Sequence, residues 1–298
     1  PAAFTTTESA GDIEALAEAL GREQVVLYGA SYGSHLGLSI LRQFPGRVAR
    51  AVLLRVEGPD HTWKLPGVTQ RHLEKLDAMT LWSPAASGLV PDPLGTVQRL
   101  LERLEREPIE AVVGGGPDAG RTVRVGRLDL ACFLARALPD PGSMARVPRV
   151  LDAVDRGDGA DLVETALSLR RLSIEAMPLL MDCASGGTPA RLARIERERA
   201  DAANLLGDAL SIPFTPSACS ACPEADVGDR RRQLFPCNVP TLFVSGTLDA
   251  RTPPANADEV AEGFTQRAHI VIENAGHHGR ELMSPEYRDA LQAFLRGE

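Results

Sequence analysis

The stretch from Gly29 to Gly33, with the sequence GASYG, constrains the fold of this chain more than any other feature. An apolar run, Val25 to Tyr28, leads into it, and an apolar-periodic segment, Leu36 to Phe44, follows it. This order predicts a strand, a sharp turn and a helix. In a G-x-S-x-G turn of this kind, small residues on both sides of the serine avoid a Cβ clash and lift its hydroxyl above the sheet. The pattern therefore predicts that Ser31 is a nucleophile.

A serine hydroxyl needs a base to take its proton, and the base needs an acid to orient it. Two strands predicted later in the chain end in suitable residues. Asp249 follows the first of them, and His277 and His278 follow the second. Either histidine fits the pattern, and the position directly after a glycine favours His277. The sequence therefore predicts a triad of Ser31, Asp249 and His277.

The composition agrees with a globular enzyme that has a large core. The chain has 298 residues, of which 44% are hydrophobic and 24% are charged. No apolar run approaches the roughly 20 residues of a membrane span. A net charge of −8 argues against nucleic acid as a partner, because phosphate binding needs clustered cations. We expect no cofactor, no metal, no nucleic acid and no membrane span.

Four stretches of the chain resemble one known group of enzymes. They are Leu27–Ser34, Phe44–Leu53, Val147–Asp158 and Gly246–Pro253, and they span most of the chain. The chain resembles the α/β-hydrolase superfamily and, within it, the proline iminopeptidase and tripeptidyl aminopeptidase-like serine hydrolases. This resemblance implies an α/β class, a mostly parallel sheet and a large helical cap. It also implies cleavage of ester or amide bonds through an acyl-enzyme, by an aminopeptidase-like enzyme or a carboxylesterase acting on a small ester or peptide.

The chain is predicted to contain one catalytic domain interrupted by one insertion. The predicted sheet strands are Gln24–Tyr28, Ala51–Val56, Thr241–Ser245 and His269–Glu273. Between them lies a long segment rich in helical patterns and poor in strands. We therefore expect residues 1–60 and 236–298 to form the catalytic domain. Residues 61–235 are expected to form a helical cap that excludes water and selects the substrate.

The resembled fold has several strands before the serine turn, whereas only one helical pattern precedes it here. Half of a buried parallel sheet would leave an apolar edge exposed. We therefore expect a preceding segment of the same polypeptide to supply the other strands, as a second chain or fragment. For the oxyanion hole, the chain itself offers the N–H of Tyr32, and the second donor should come from that segment. Produced without it, the chain should be insoluble or inactive.

Two acidic residues follow the strand after the serine turn. Glu57 and Asp60 lie where ligands bind in a parallel sheet, and either could anchor a substrate ammonium, as acidic residues do in aminopeptidases of the resembled group. The alternative is a structural turn in which Asp60 caps a helix. Relatives have an acidic residue two positions after the match to Cys183, where this chain has Ser185. That difference argues against a peptidase, and a catalytically silent binding protein is the alternative function.

The chain contains five cysteines. The resemblance implies a disulfide between Cys183 and Cys219, while Cys132 fits a helix core as a free thiol. Cys222 and Cys237 then pair with each other or stay reduced. A zinc site built from the last four cysteines is the alternative. With the disulfide, a secreted or periplasmic location is favoured, and without it a cytoplasmic one.

Overall fold

The computed structural model of the chain describes residues 4–171, 175–222, 226–278 and 284–297. The strands are β1 (Val25–Ala30), β2 (Val48–Leu54), β3 (Ile109–Val112), β4 (Thr122–Val125), β5 (Thr241–Gly246) and β6 (Arg267–Ile272). The α-helices are α1 (Thr6–Ala19), α2 (Tyr32–Gln43), α3 (Pro66–Trp82), α4 (Pro84–Leu89), α5 (Pro93–Arg106), α6 (Arg127–Ala137), α7 (Pro141–Met144), α8 (Val147–Asp155), α9 (Val163–Arg171), α10 (Ala176–Ser185), α11 (Pro189–Ala200), α12 (Asp229–Arg232), α13 (Pro254–Ala261) and α14 (Pro285–Arg296). Short 3₁₀ helices span Pro45–Arg47, Ala160–Leu162 and Pro216–Ala221.

Local sequence signals account for where many of these helices begin. A proline stands in the first turn of several helices, where its missing N–H costs nothing. At several helix starts, short polar side chains accept a hydrogen bond from a backbone N–H of the first turn. These capping residues are Thr5, Ser83, Asp92, Asp140 and Ser284.

Four parallel strands form the main sheet in the order β1-β2-β5-β6. The prediction of four sheet strands at these places is confirmed, although β2 begins at Val48 rather than at Ala51. Every residue of β5 is buried, as a continuous apolar run in a central parallel strand requires. The carboxyl ends of these strands meet at one edge of the sheet, which places the loops that follow them side by side.

Apolar side chains cover both faces of this sheet. On one face, Leu53 and Phe243 pack with Leu38 and Leu41 of α2 and with Val260 of α13. The second core lies on the opposite face and contains Val52, Leu54, Leu242, Val244 and Tyr287. Because successive residues of a strand point to opposite faces, the neighbours Val52 and Leu53 join different cores. The sheet, whose strands lead into the site, is therefore packed between two apolar layers.

Strand β1 lies at one edge of the sheet, and among the described residues only β2 pairs with it. Its side chains Val26 and Tyr28 are 51% and 58% exposed. The expected pairing of a preceding segment with this edge stays a prediction. Producing the chain with and without that segment, and comparing soluble yield and hydrolysis, would test it.

Two compact units divide the chain. The first consists of Pro1–Lys64, Glu175–Arg194 and Phe214–Glu298, and the second of Leu65–Ile174 and Ile195–Pro213. These boundaries differ from the predicted insertion 61–235, because three of its segments, 61–64, 175–194 and 214–235, group with the sheet. The sequence predicted an insertion rich in helical patterns, but such patterns carry no information about the unit in which each segment packs. A covering role for the inserted residues stays a prediction.

The second unit also contains a small antiparallel hairpin that the sequence analysis missed. Strand β3 pairs with β4 in the register Ile109 to Val125 and Val112 to Thr122. The two strands alternate between outward and buried residues over only four positions each, which is too short to distinguish from a loop between helices. The segment is therefore not purely helical.

Candidate active site

The site begins at the turn between β1 and α2. Ser31 has φ 55° and ψ −124°, a backbone conformation that costs a residue with a Cβ of order 1–3 kcal/mol. Its N–H donates to the carbonyl of Leu54 at 3.0 Å, which ties the turn to the end of β2. The hydroxyl of Ser34 donates to the Ser31 carbonyl at 2.6 Å and accepts the N–H of Glu57 at 2.8 Å. Neighbouring hydrogen bonds therefore hold Ser31 in its strained conformation.

The two glycines of the motif have different physical roles. A Cβ placed on Gly29 would lie 2.2 Å from the carbonyl oxygen of Gly33, which no side chain can occupy. A Cβ on Gly33 would meet no described atom within 4 Å. Close backbone approach therefore requires glycine before the serine, while nothing in the described structure requires it after the serine.

We expect Gly29→Ala to lower kcat by about 10²-fold and Gly33→Ala to leave it nearly unchanged. In the first variant the turn must open to relieve the clash, and displacing a reacting group by about 1 Å costs that much. Initial rates on a nitrophenyl ester, with circular dichroism to verify folding, measure both effects. Equal losses in the two variants would show that the clash at Gly29 does not control the turn.

His277 joins the other two residues of the predicted triad. Its Nδ1 lies 2.9 Å from Oδ2 of Asp249, and its Nε2 lies 3.0 Å from Oγ of Ser31. Because the carboxylate can only accept, Nδ1–H donates to Asp249 and the hydroxyl of Ser31 donates to Nε2. His277 is 2% exposed, whereas the adjacent His278 is exposed and packs edge-on against the His277 ring. The structure therefore places His277, and not His278, beside the serine.

Asp249 is fully buried in the turn after β5 and is surrounded by donors. Its Oδ1 accepts the N–H groups of Arg251 and Thr252, both at 2.8 Å, and its Oδ2 accepts the Thr252 hydroxyl at 2.7 Å. Burial raises the pKa of Asp249, but the bonds from His277 and Thr252 outweigh it and hold the pKa below its usual value. The carboxylate is thus ionised and fixed in orientation. Sequence reasoning missed Thr252, although an aspartate followed by turn residues is the signal for such bonds.

The backbone N–H of Tyr32 opens α2 directly after the serine. The first N–H groups of a helix have no acceptor within the helix, so they are available to a developing negative charge. The Tyr32 side chain is anchored on its other side, with its hydroxyl 3.2 Å from Oγ1 of Thr6 and 3.5 Å from the sulfur of Met181. Burial raises the pKa of this phenol, so it stays neutral.

A cavity of ≈ 280 Å³ opens beside the serine within the first unit. Its walls combine apolar side chains with a cluster of charged groups. The lining residues are Ser31, Tyr32, Glu57, Thr62, Lys64, Met177, Pro178, Met181, Asp182, Phe214 and Arg251. A cavity of this kind fits a small substrate with an apolar part and at least one charged group.

Glu57 and Lys64 form a buried ion pair in the wall of the cavity. The Lys64 ammonium donates to Glu57 at 2.7 Å and to the carbonyl of His61 at 3.0 Å, and both charged side chains are only 8% exposed. Burial lowers the pKa of Lys64, with Glu57 opposing the shift. For Glu57 burial raises the pKa, but Lys64 outweighs it and the pKa lies below its usual value. Glu57 is therefore ionised and already committed to a cation.

Asp182, on α10, is the second carboxyl group of the cavity, and sequence reasoning missed it. Within the described part of the chain, its side chain makes no hydrogen bond or ion pair. Burial and the nearby Glu57 raise the pKa of Asp182 to about 6. Lys64 and Arg251, which line the same cavity, partly oppose the shift. Since α10 lies far from the serine in sequence, periodicity gave no signal that Asp182 would be at the site.

Asp60, the other predicted substrate-binding residue, is bound to a helix start and does not line the cavity. Its Oδ1 accepts the N–H of Thr188 at 2.7 Å, and its Oδ2 accepts the Thr188 hydroxyl at 2.6 Å. Thr188 in turn caps α11 through the N–H of Arg191. The assignment of Asp60 to substrate binding was wrong, because both carboxylate oxygens are used in the structural turn that was its alternative.

The cysteines divide into one bridge and three free thiols. Cys183 and Cys219 form a disulfide, which removes two of the four thiols that the alternative zinc site would need. Cys132 is buried in α6, where desolvation raises its pKa to about 11, and Cys237 is buried as well. Cys222 is partly exposed. Among the described residues, no group of three or more possible metal ligands is found, and no helix is long and apolar enough to cross a bilayer.

Two family models match different parts of the chain. Residues 1–106 match the model described as the α/β hydrolase fold, and residues 207–297 match that of the TAP-like proteins. The tripeptidyl aminopeptidases of Streptomyces lividans and Streptomyces coelicolor are each 25% identical over 325 residues. These alignments cover 98% of this chain but 56% of each relative, so the chain spans little more than half of their length.

Solved structures with similar chains include enzymes of several kinds. The proline iminopeptidase-related protein of Thermus thermophilus is 24% identical, with a TM-score of 0.39. The match covers 99% of this chain and 71% of the Thermus thermophilus chain. The thermophilic esterase of Thermogutta terrifontis is 19% identical, covering 98% and 72%, with a TM-score of 0.40. The family matches, together with the parallel sheet and its serine turn, show the α/β-hydrolase fold, and within that superfamily the chain is similar to the aminopeptidase-like group.

Proposed function

We propose that the protein is a serine hydrolase that cleaves amide or ester bonds through an acyl-enzyme. The hydrogen-bonded series Ser31, His277, Asp249 carries this proposal. His277 takes the Ser31 proton as Oγ attacks the scissile carbonyl, and Asp249 stabilises the imidazolium that forms. The N–H of Tyr32 supports the oxyanion. His277 then gives the proton to the leaving group, and water repeats the sequence to release the acid.

The charges of the cavity favour a substrate with a free amino terminus. Asp182 shares the cavity with Ser31, whereas Glu57 is paired with Lys64. The cations Lys64 and Arg251 act on Asp182 without offsetting burial and Glu57, and neither is in hydrogen-bond contact with it. A substrate ammonium would supply the direct partner that the Asp182 side chain lacks among the described residues. An aminopeptidase-like activity is therefore proposed ahead of a simple carboxylesterase, in agreement with the tripeptidyl aminopeptidases that the chain resembles.

A fluorophosphonate probe tests the nucleophile directly, because it reacts covalently with an activated serine. We expect labelling of the protein and none of Ser31→Ala, with Ser168→Ala, a change at an exposed serine of α9, as a control that leaves the serine turn intact. Absence of labelling in the natural sequence would support the alternative, a catalytically silent binding protein. Rates on alanyl or prolyl anilides, compared with a nitrophenyl ester, then distinguish a peptidase from an esterase.

Asp182 should give an amine-bearing substrate its own pH dependence. With a pKa of about 6, raised from 3.8, this carboxyl group is ionised above pH 6 and neutral below it. A substrate amine, whose pKa is about 8, stays protonated over that range. KM for an alanyl anilide should therefore rise as the pH falls through 6, while KM for a neutral nitrophenyl ester should not. A group of the protein whose titration affects both substrates changes both KM values alike, so its effect cancels in their ratio.

The matched variant is Asp182→Asn, which keeps the size of the side chain and removes its charge. Losing a hydrogen bond to a charged group costs about 1.5–3 kcal/mol, so KM for the anilide should rise roughly 10- to 100-fold at pH 7.5. The ester should be unaffected, and the KM ratio should become independent of pH. A ratio that still changes near pH 6 in this variant would exclude Asp182 as the ammonium site.

A further inference from the structure

Three sulfur atoms lie together at the end of α10. Beside the Cys183–Cys219 disulfide, Sγ of Cys222 lies 3.6 Å from Sγ of Cys183. The N–H of Cys222 donates to the carbonyl of Cys219 at 2.9 Å, so the two cysteines are held on one turn. Van der Waals contact between a thiol and a disulfide sulfur is the arrangement from which thiol–disulfide exchange starts.

Of the three free thiols, Cys222 is also the accessible one. Cys132 and Cys237 are buried, and desolvation raises the pKa of both. A thiol in such surroundings is inert, because the thiolate is the reacting form. Cys222 is partly exposed, so its sulfur is in contact with solvent. Cys222 is therefore the free thiol that both lies against the disulfide and is in contact with solvent.

We propose that Cys183, Cys219 and Cys222 form an exchange site in which Cys183 is bonded to either of the other two. Cys222 gives its proton to solvent, and its thiolate attacks Sγ of Cys183. The bond to Cys219 breaks, and the electron pair leaves on Sγ of Cys219, which takes up a proton. One disulfide and one thiol are present before and after the step, so no oxidant or reductant is consumed.

The chain between the cysteines does not favour one pairing over the other. The present disulfide joins residues 36 apart, and the alternative would join residues 39 apart. The loop-closure entropy depends on the logarithm of loop length and is almost equal for the two. For Cys183 and Cys222 to bond, their sulfur atoms must approach from 3.6 Å to about 2.05 Å, the length of a disulfide bond. This is a small local movement.

The exchange would move a disulfide cross-link that lies beside the cavity at Ser31. Cys183 directly follows Asp182, which lines the cavity, and the 3₁₀ helix with Cys219 directly follows the segment of Phe214, which also lines it. Moving the bond from Cys219 to Cys222 shifts its attachment by about one turn of that helix. The proposal itself does not depend on hydrolase activity and is tested through sulfur chemistry alone.

Peptide mapping of the oxidised protein tests the proposal. N-ethylmaleimide is added together with denaturant at mildly acidic pH, which stops further exchange, and the digest is analysed by mass spectrometry. We expect both Cys183–Cys219 and Cys183–Cys222 bridged peptides, in amounts within about tenfold of each other. Label should be complete at Cys132 and Cys237 and partial at Cys219 and Cys222. Complete label at Cys222 with none at Cys219 would overturn the proposal, as would a Cys219–Cys222 bridge.

Two variants serve as matched controls. In Cys222→Ser the partial label at Cys219 should disappear, because the exchange partner is gone; label that persists at the same level would mean incomplete oxidation and overturn the proposal. In Cys219→Ser a Cys183–Cys222 bridge should form and two thiols should remain, whereas four free thiols would overturn it. Should Cys219→Ser fail to fold, the comparison of the natural sequence with Cys222→Ser decides alone.

Discussion

Replacing His277 by alanine should lower kcat by at least about 10⁴-fold, while the same change at His278 should alter it less than about threefold. In the proposed mechanism His277 takes the Ser31 proton, and its Nε2 lies 3.0 Å from the Ser31 hydroxyl oxygen. Without it the hydroxyl stays protonated and is a poor nucleophile. Initial rates on a nitrophenyl ester measure both variants against the natural sequence.

The neighbouring histidine makes a demanding control. His278 has the same chemistry, lies next in the chain and contacts the ring of His277 edge-on. A general effect of removing an imidazole from this loop would therefore appear in both variants. A large loss in His278→Ala with near-normal turnover in His277→Ala would exchange their roles, and normal turnover in both would remove the triad from the mechanism.

Replacing Glu57 by glutamine should lower the free energy of unfolding by about 3–5 kcal/mol at pH 7. The change leaves the Lys64 ammonium, whose side chain is 8% exposed, without an ionised partner, because the glutamine oxygen and the carbonyl of His61 are both neutral acceptors. A buried charge without its counterion costs more than a lost surface ion pair, because water cannot replace the missing partner. Urea unfolding followed by circular dichroism measures the difference.

The double variant Glu57→Gln, Lys64→Met separates this cause from simple loss of packing. Removing both charges should recover much of the stability, because no buried ion is left unpaired. The pKa of Glu57 lies below its usual 4.5, so ionisation of Glu57 contributes stability above about pH 4.5, whereas the lowered pKa of Lys64 contributes with the opposite sign. The Glu57 contribution is lost as the pH falls through its folded-state pKa. A single variant that loses less than 1 kcal/mol at pH 7 would contradict the ion-pair account.

Much of the catalytic series could be predicted because its signals are local. A strand that runs into GASYG, an aspartate after a second strand and a histidine after a third are each visible within about ten residues. Parallel strands then bring their carboxyl ends together without further information. The pairing of the disulfide was predicted instead from the family resemblance, because spacing alone does not determine how five cysteines pair.

The sequence by itself determined the four parallel strands, the strained serine turn and the order of the three residues that meet there. Only the tertiary structure decided what surrounds them. It placed Asp182 in the cavity, paired Glu57 with Lys64, bound Asp60 to Thr188 and brought Cys222 against the disulfide. These contacts join residues that are far apart in sequence or whose environment depends on which helices pack nearby. Hydrogen bonding and burial of such groups are properties of the packed chain, so no local pattern in the sequence encodes them.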